Sequence, residues 1–252
     1  MNPRISINGL CTGDAPLEHD VELARTLGVA QVCVPHWKLS DTPVTASAVL
    51  HPNAFTLDAP SNWPTQRLAL LESVASAALI GAPRVYVTTG PAWRQPWEAA
   101  ARAFGEAVGP VVAHAAMVGV RLAVEPTNPL RVDIGFVHSL RDALDLALAC
   151  DLDVCVDLFA CWYERDLRAA LRRAAGRIAL VQVSDYVPGT VDLPNRAVPG
   201  DGVIPLRSLL DAILEDGYEG AFDLELLGPR ITAEGPPAAL ARAAAWLNAA
   251  LS

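Results

Sequence analysis

The sequence predicts a single-domain α/β fold, a (β/α)8 barrel, on three observations. Short runs of strand-forming residues alternate along the whole chain with longer Ala/Leu/Arg-rich stretches of helical period. Eight such units fit the 252 residues available, a length typical of one closed barrel. The rival arrangement, a doubly wound open sheet, usually carries a glycine-rich phosphate loop after an early strand, and no GxGxxG or P-loop pattern is present.

The predicted strands begin with "RISIN" from Arg4, "AQVCVP" from Ala30, "TASAVLH" from Thr45 and "RVYVTT" from Arg84. They continue with "RLAVEP" from Arg121, "DVCVDL" from Asp153, "ALVQVSD" from Ala179 and "AFDLEL" from Ala221. Between them, helical spacing predicts helices over Gln66–Ile80, Glu98–Met117, Ser139–Cys150, Asp166–Ala175, Leu206–Asp216 and Pro237–Leu251. Gly28, Gly81, Gly119, Gly176 and Gly217 stand where helices should close, at the position that favours a left-handed backbone. The second unit is the weakest, because "KLSDTPV" leaves room for little helix. No linker or internal repeat divides the chain, so residues 1–252 read as one domain.

Composition narrows the function. Hydrophobic residues make up 52% and charged residues 19%, enough for a large core and too apolar for disorder. No apolar run approaches the ~20 residues of a membrane span, and "MNPRISINGL" has no signal-peptide pattern, which together predict a cytoplasmic protein without a membrane partner. Five cysteines, with no CxxC pair, read as reduced and mostly buried thiols. The formal net charge is −9 and Lys38 is the only lysine, so a phosphate-neutralising surface for nucleic acid is not expected. Lys38 itself reads as a surface residue. The alanine- and leucine-rich helices permit a homo-oligomer without specifying one.

Strand residues of a barrel alternate between the lumen and the surrounding helices. If the valines and leucines of the last four strands face the helices, then Glu125, Asp157, Gln182, and Asp223 with Glu225 face inward. Four successive strands thus bring polar side chains to their C-terminal ends, where barrels build active sites. Carboxylates converging in a half-dry space must protonate, pair with arginine or bind a cation. A divalent metal held by Glu125, Asp157, Glu225 and the amide oxygen of Gln182 meets that requirement. All donors are hard oxygens, which suits Mn²⁺ most, with Mg²⁺ or Co²⁺ possible.

This pattern resembles the xylose-isomerase-like TIM barrel superfamily, often described as sugar phosphate isomerases/epimerases. The resemblance spans nearly the whole chain and is strongest from Arg121 to Gly228, through "LAVEP", "VDLFA", "VQVSD" and "DLELLG". The loop "NRAVPGDGVIPL" is similar to the family's arginine-then-PGxG segment, and implies that Arg196 contacts substrate. Two positions depart from the family. Ala160 stands where many relatives carry a histidine, and Gln182 stands where most have a histidine ligand. Dehydroshikimate dehydratases of the superfamily resemble this chain in using glutamine there.

The resemblance implies a metal-dependent isomerase or epimerase. Glu125 and Glu225 would be the acid–base pair beside a small polyhydroxylated substrate, which reacts through a metal-stabilised enediolate. Loss of a β-hydroxyl instead would make it a lyase, similar to 3-dehydroshikimate or inosose dehydratases. A non-catalytic small-molecule-binding barrel is a further alternative. Endonuclease IV shares the superfamily, but its trinuclear site needs many histidines and a basic surface, and this chain has five histidines. His36 and His51 follow the second and third strands and are candidate substrate contacts. Trp37, Trp63, Trp93 and Trp162 fall in predicted strand-to-helix loops, and Trp162 in particular is a candidate for stacking on substrate.

Overall fold

In the computed structural model, which describes residues 1–52 and 55–252, eight parallel strands close into a barrel in sequence order. They are β1 (Ile5–Asn8), β2 (Gln31–Pro35), β3 (Ala46–Leu50), β4 (Arg84–Val87), β5 (Arg121–Val124), β6 (Asp153–Asp157), β7 (Ile178–Val183) and β8 (Phe222–Leu224). The helices are α1 (Leu17–Leu27), α2 (Trp63–Leu79), α3 (Trp97–Met117), α4 (Leu140–Cys150), α5 (Leu158–Cys161), α6 (Leu167–Ala174), α7 (Leu206–Glu215), α8 (Pro229–Glu234) and α9 (Pro236–Ala250). Six of them coincide, within a few residues, with the helices predicted from spacing. The second unit keeps only a 3-10 turn at His36–Lys38, as its short polar loop implies.

Two apolar layers hold the barrel. Outward-facing strand residues such as Val34, Val85, Val124, Val156 and Val183 pack against the buried stripes of the helices. Inside, Cys33, Ala48, Tyr86, Ala123, Cys155 and Leu180 fill the lumen, with small residues making room for the Tyr86 ring. Burial on both faces is what lets these strands consist of near-continuous apolar residues. All of the cysteines are free, and Cys11, Cys33, Cys155 and Cys161 are buried. Among the described residues, no helix is long and apolar enough to cross a membrane.

The register brings the polar strand ends into line. Asp157 of β6 pairs with Gln182 of β7, and Gln182 with Asp223 of β8. A register shift between Val154 and Cys155 places Leu180 opposite Cys155 and so keeps Gln182 on the inward face.

One polar cluster secures the N-terminal units. The Lys38 ammonium is buried, not on the surface as its residue type suggests. It donates to the Gly9 carbonyl at 2.6 Å and to Thr12 Oγ1 at 2.8 Å, and it pairs with Asp20 Oδ2 at 3.1 Å. Thr12 in turn donates to the other Asp20 oxygen. Three acceptors meet the three ammonium donors, so the charge is satisfied without water. Gly9 is needed for this approach, because a Cβ there would meet Pro35 Cδ at 2.6 Å and Asp20 Oδ2 at 2.9 Å. Removing the cation alone strands a buried carboxylate, so Lys38→Met should lower unfolding free energy by about 3–5 kcal/mol. Lys38→Met combined with Asp20→Asn should recover much of that loss. Urea unfolding of the single and double variants checks this, and a single variant within ~0.5 kcal/mol of wild type would show the pair to be dispensable.

Candidate active site

Strand ends and the loops that follow them enclose a cavity of about 330 Å³ at the C-terminal mouth of the barrel. Glu125, Asp157, Arg196, Glu225, His51 and Trp37 line it, together with apolar side chains including Phe159 and Leu193. Glu125 follows β5 directly, Asp157 ends β6, and Glu225 follows β8. The inward parity read from the sequence therefore brings these three carboxylates to one cavity. Gln182 lies beneath them, fully buried, and does not line the cavity.

Arg196 organises the floor. Its guanidinium grips Asp157 with two bonds, Nη1 to Oδ1 at 3.0 Å and Nη2 to Oδ2 at 2.9 Å. Nη2 also stands 3.0 Å from Glu225 Oε1, and Nη1 donates to Ser184 Oγ at 3.0 Å. The Phe159 ring centroid lies 4.8 Å from the guanidinium carbon. Asp157 Oδ1 also accepts from the Phe159 backbone N–H at 3.0 Å, capping the short α5. Gln182 Nε2 donates to Glu225 Oε2 and lies 3.4 Å from the Tyr86 hydroxyl.

Arg196 is itself placed by Asp185, a residue that sequence reasoning passed over. The Asp185 carboxylate accepts four backbone N–H bonds, from Tyr186, Gly200, Gly202 and Ile204, at 2.8 to 3.0 Å. Its backbone pairs with Ala197 in both directions, and the Arg196 N–H donates to the Leu227 carbonyl at 2.8 Å. Gly202 must be glycine here, since a Cβ would meet Asp185 Oδ1 at 2.4 Å. The only signal for this role in the sequence is a strand-end aspartate followed by a loop containing two glycines, "PGDG".

The three cavity carboxylates are treated unequally. Asp157 and Glu225 are hydrogen-bonded and paired with Arg196, whereas Glu125 accepts no side-chain hydrogen bond among the described residues. Burial, with Glu225 and Asp157 nearby, raises the Glu125 carboxyl well above the usual carboxylate range. Burial also raises Glu225, with Asp157 and Asp223 adding to the effect and Arg196 opposing it. One layer lower, burial pushes Asp223 up to about 6, against bonds from Ser6, Asn8 and Cys33. Asn8 Nδ2 donates to Asp223 Oδ2 at 2.8 Å and to the Tyr86 hydroxyl at 3.2 Å.

As it stands, the cluster is closed around Arg196. Among the described residues, no three His, Cys, Asp or Glu side chains are disposed to hold a metal ion. The donor chemistry nevertheless fits one. Glu125, Asp157 and Glu225 supply hard oxygens, and Gln182 Oε1 is a buried acceptor without a hydrogen-bond partner among the described residues.

The remaining candidate contacts divide. His51 lines the cavity and Trp37 forms its rim, half exposed. His36 does not reach the cavity, since it sits in the 3-10 turn after β2, within the electrostatic reach of Glu72. Trp162 is also outside it, at the end of α5, where its ring lies tilted over Tyr186 with centroids 6.2 Å apart. Trp63 is buried and donates to the Thr56 carbonyl, while Trp93 is exposed elsewhere.

His51 Nδ1 lies 2.8 Å from Ser73 Oγ, and burial, aided by His36, pushes its pKa from 6.5 down to about 4. The unfolded chain therefore binds the extra proton between those values, and stability should fall as pH drops from 6.5 toward 4. The contribution, complete above the upper value, is at most on the order of 3 kcal/mol. Urea titrations at pH 7.5 and 4.5 should show His51→Gln losing less stability on acidification than wild type. Equal losses would assign the acid sensitivity to other groups.

Residues 38–250 match the xylose isomerase-like TIM barrel family. Protein SMc04130 from Sinorhizobium meliloti 1021 superimposes with a TM-score of 0.83 at 22% identity, covering 98% of each chain. The IolI protein with a bound zinc atom gives 0.81 at 17% identity, over 99% of this chain and 98% of that one. D-psicose 3-epimerase with D-tagatose, from Clostridium cellulolyticum H10, gives 0.80 at 16% identity over 98% of each chain. No curated protein matches the chain. The match over residues 38–250, with the closed eight-stranded barrel it accompanies, establishes that this chain belongs to the xylose isomerase-like TIM barrel family.

Proposed function

We propose that this protein is a divalent-metal-dependent isomerase or epimerase that moves a proton next to the carbonyl of a small polyhydroxylated substrate. The observation that carries this reading is the convergence of Glu125, Asp157 and Glu225 on one cavity, where Glu125 accepts no side-chain hydrogen bond among the described residues. A general base works best when its pKa lies near the working pH, and burial among carboxylates moves Glu125 in that direction. The cavity, at about 330 Å³, suits a compact ligand. The similarity in fold to D-psicose 3-epimerase agrees with this reaction class, and that to zinc-bound IolI agrees with a divalent ion.

Glu125, Asp157, Gln182 and Glu225 would hold the ion, and a set of oxygens alone favours Mn²⁺ or Mg²⁺, with Co²⁺ able to substitute. When bound, such an ion supplies Lewis-acid polarisation of a carbonyl oxygen. Glu125 takes the proton from the carbon beside that carbonyl. Glu225, also raised in proton affinity, returns one to the neighbouring position or to the other face. Arg196 offers paired donors to two substrate oxygens, and the apolar wall of Phe159 and Leu193 limits water around the exchanged proton.

Purified protein should carry about one divalent ion per chain by elemental analysis, and EDTA should lower its melting temperature. In D₂O, a hydroxy-ketone substrate should gain deuterium beside its carbonyl, and Glu125→Gln should slow that exchange by ~10²-fold or more. A metal-loaded protein that retains no ion would refute the metal dependence. Undiminished exchange in Glu125→Gln would remove Glu125 as the base. Release of a conjugated product without exchange would identify a dehydratase.

A further inference from the structure

Asp157 and Glu225 already have a cation. Asp157 Oδ1 accepts from Arg196 Nη1 and from the Phe159 N–H, and its Oδ2 accepts from Arg196 Nη2. Glu225 Oε1 faces Arg196 Nη2, and its Oε2 accepts from the Gln182 amide nitrogen. A divalent ion needs those oxygens at ~2.0–2.6 Å. The guanidinium now contacts both carboxylates at 2.9 to 3.0 Å, so an ion bridging them would meet a like charge at van der Waals distance in a partly dry cavity. The two cations need the same lone pairs.

Gln182 adds a second, independent sign. Its nitrogen points to Glu225, and its oxygen is buried with no partner among the described residues. An amide oxygen left so costs free energy. Turning the amide about its last torsion would present oxygen toward Glu225, an arrangement that is repulsive unless a cation stands between them. In the new orientation the Tyr86 hydroxyl, now 3.4 Å from Nε2, could donate to the oxygen instead of accepting. The present orientation thus matches an ion site with the guanidinium inside it.

We propose that Arg196 is an exchangeable internal counter-ion: a divalent ion enters only as the guanidinium leaves Asp157 and Glu225 and the Gln182 amide turns. Arg196 is then released to the cavity, where it is free to meet substrate oxygens, so ion and substrate bind in that order. This rests on the metal-dependent reading above. It assigns Arg196 two successive partners, and it predicts that the residue opposes ion binding instead of supporting it.

The test is Mn²⁺ titration by calorimetry into metal-free wild type, Arg196→Gln and Arg196→Lys, with melting temperatures taken with and without the ion. Arg196→Gln should bind Mn²⁺ at least ~10-fold more tightly than wild type, because the competing charge is gone. Without metal it should melt lower than wild type, and saturating Mn²⁺ should shrink or reverse that difference. Arg196→Lys keeps a charge but loses the two-pronged grip, so its affinity should fall between the two; it also serves if the glutamine variant does not fold without metal. Equal or weaker Mn²⁺ binding in both variants would overturn the exchange while leaving the metal dependence intact. Absence of Mn²⁺ binding in all three forms would refute the metal-dependent reading itself, and the exchange with it.

Discussion

The Arg196 guanidinium meets both Asp157 and Glu225 at the barrel mouth, and three separate parts of the chain hold it there. The Asp185 carboxylate gathers four N–H groups of the loop that carries it. The extension of β8 receives its backbone through Leu227, and α5 sets Phe159 beneath it. Such an investment follows from charge. Without a cation, the acids of β6 and β8 would lose much of their solvation with nothing in return, a cost of several kcal/mol per ion. The upper barrel is therefore built as a carboxylate cage around a positive core.

Below that core the lumen changes character in steps. Asp223, Asn8, Tyr86 and Gln182 form a connected polar layer, in which each hydrogen bond restrains the next side chain. Underneath, Ser6 and Ser47 share a bond at 2.8 Å. Cys33, Cys155, Ala123 and Leu180 fill the remaining space. This layer separates the cavity at the mouth from the apolar lumen. It also gives Gln182 a fixed nitrogen side and an open oxygen side, which a mobile side chain at the surface would not have. The amide's burial near the C-terminal end of β7 is thus the reason its orientation is fixed.

Strand parity was legible in the sequence because its period of two is a property of the backbone, and one apolar residue per pair sets the face. That rule placed Glu125, Asp157 and Glu225 at one cavity and Gln182 inside the barrel. Helices with several apolar turns were equally legible. Helix α1 was harder, since Leu17, Leu23 and Ala24 are its few buried apolar residues. The ionic contacts were not legible, because each depends on loop paths. Arg196 and Asp157 are 39 residues apart. The burial of Lys38 needed acceptors from two other segments, the turn after β1 and helix α1, at positions no local pattern defines. The histidines and tryptophans after the strands share a loop position but not a direction, so His51 and Trp37 reached the cavity while His36 and Trp162 did not.

The departure at Ala160 acquires a physical meaning in this setting. Ala160 is buried within α5, a helix started by the carboxylate of Asp157 itself, and does not line the cavity. The wall beside Asp157 is instead supplied by Phe159. An aromatic face attracts a guanidinium by about 0.5–2 kcal/mol, more as water is excluded. Arg196 is thus held by carboxylate oxygens and by an aromatic ring together. The ring contact does not depend on the carboxylates, so it restrains the guanidinium independently of them.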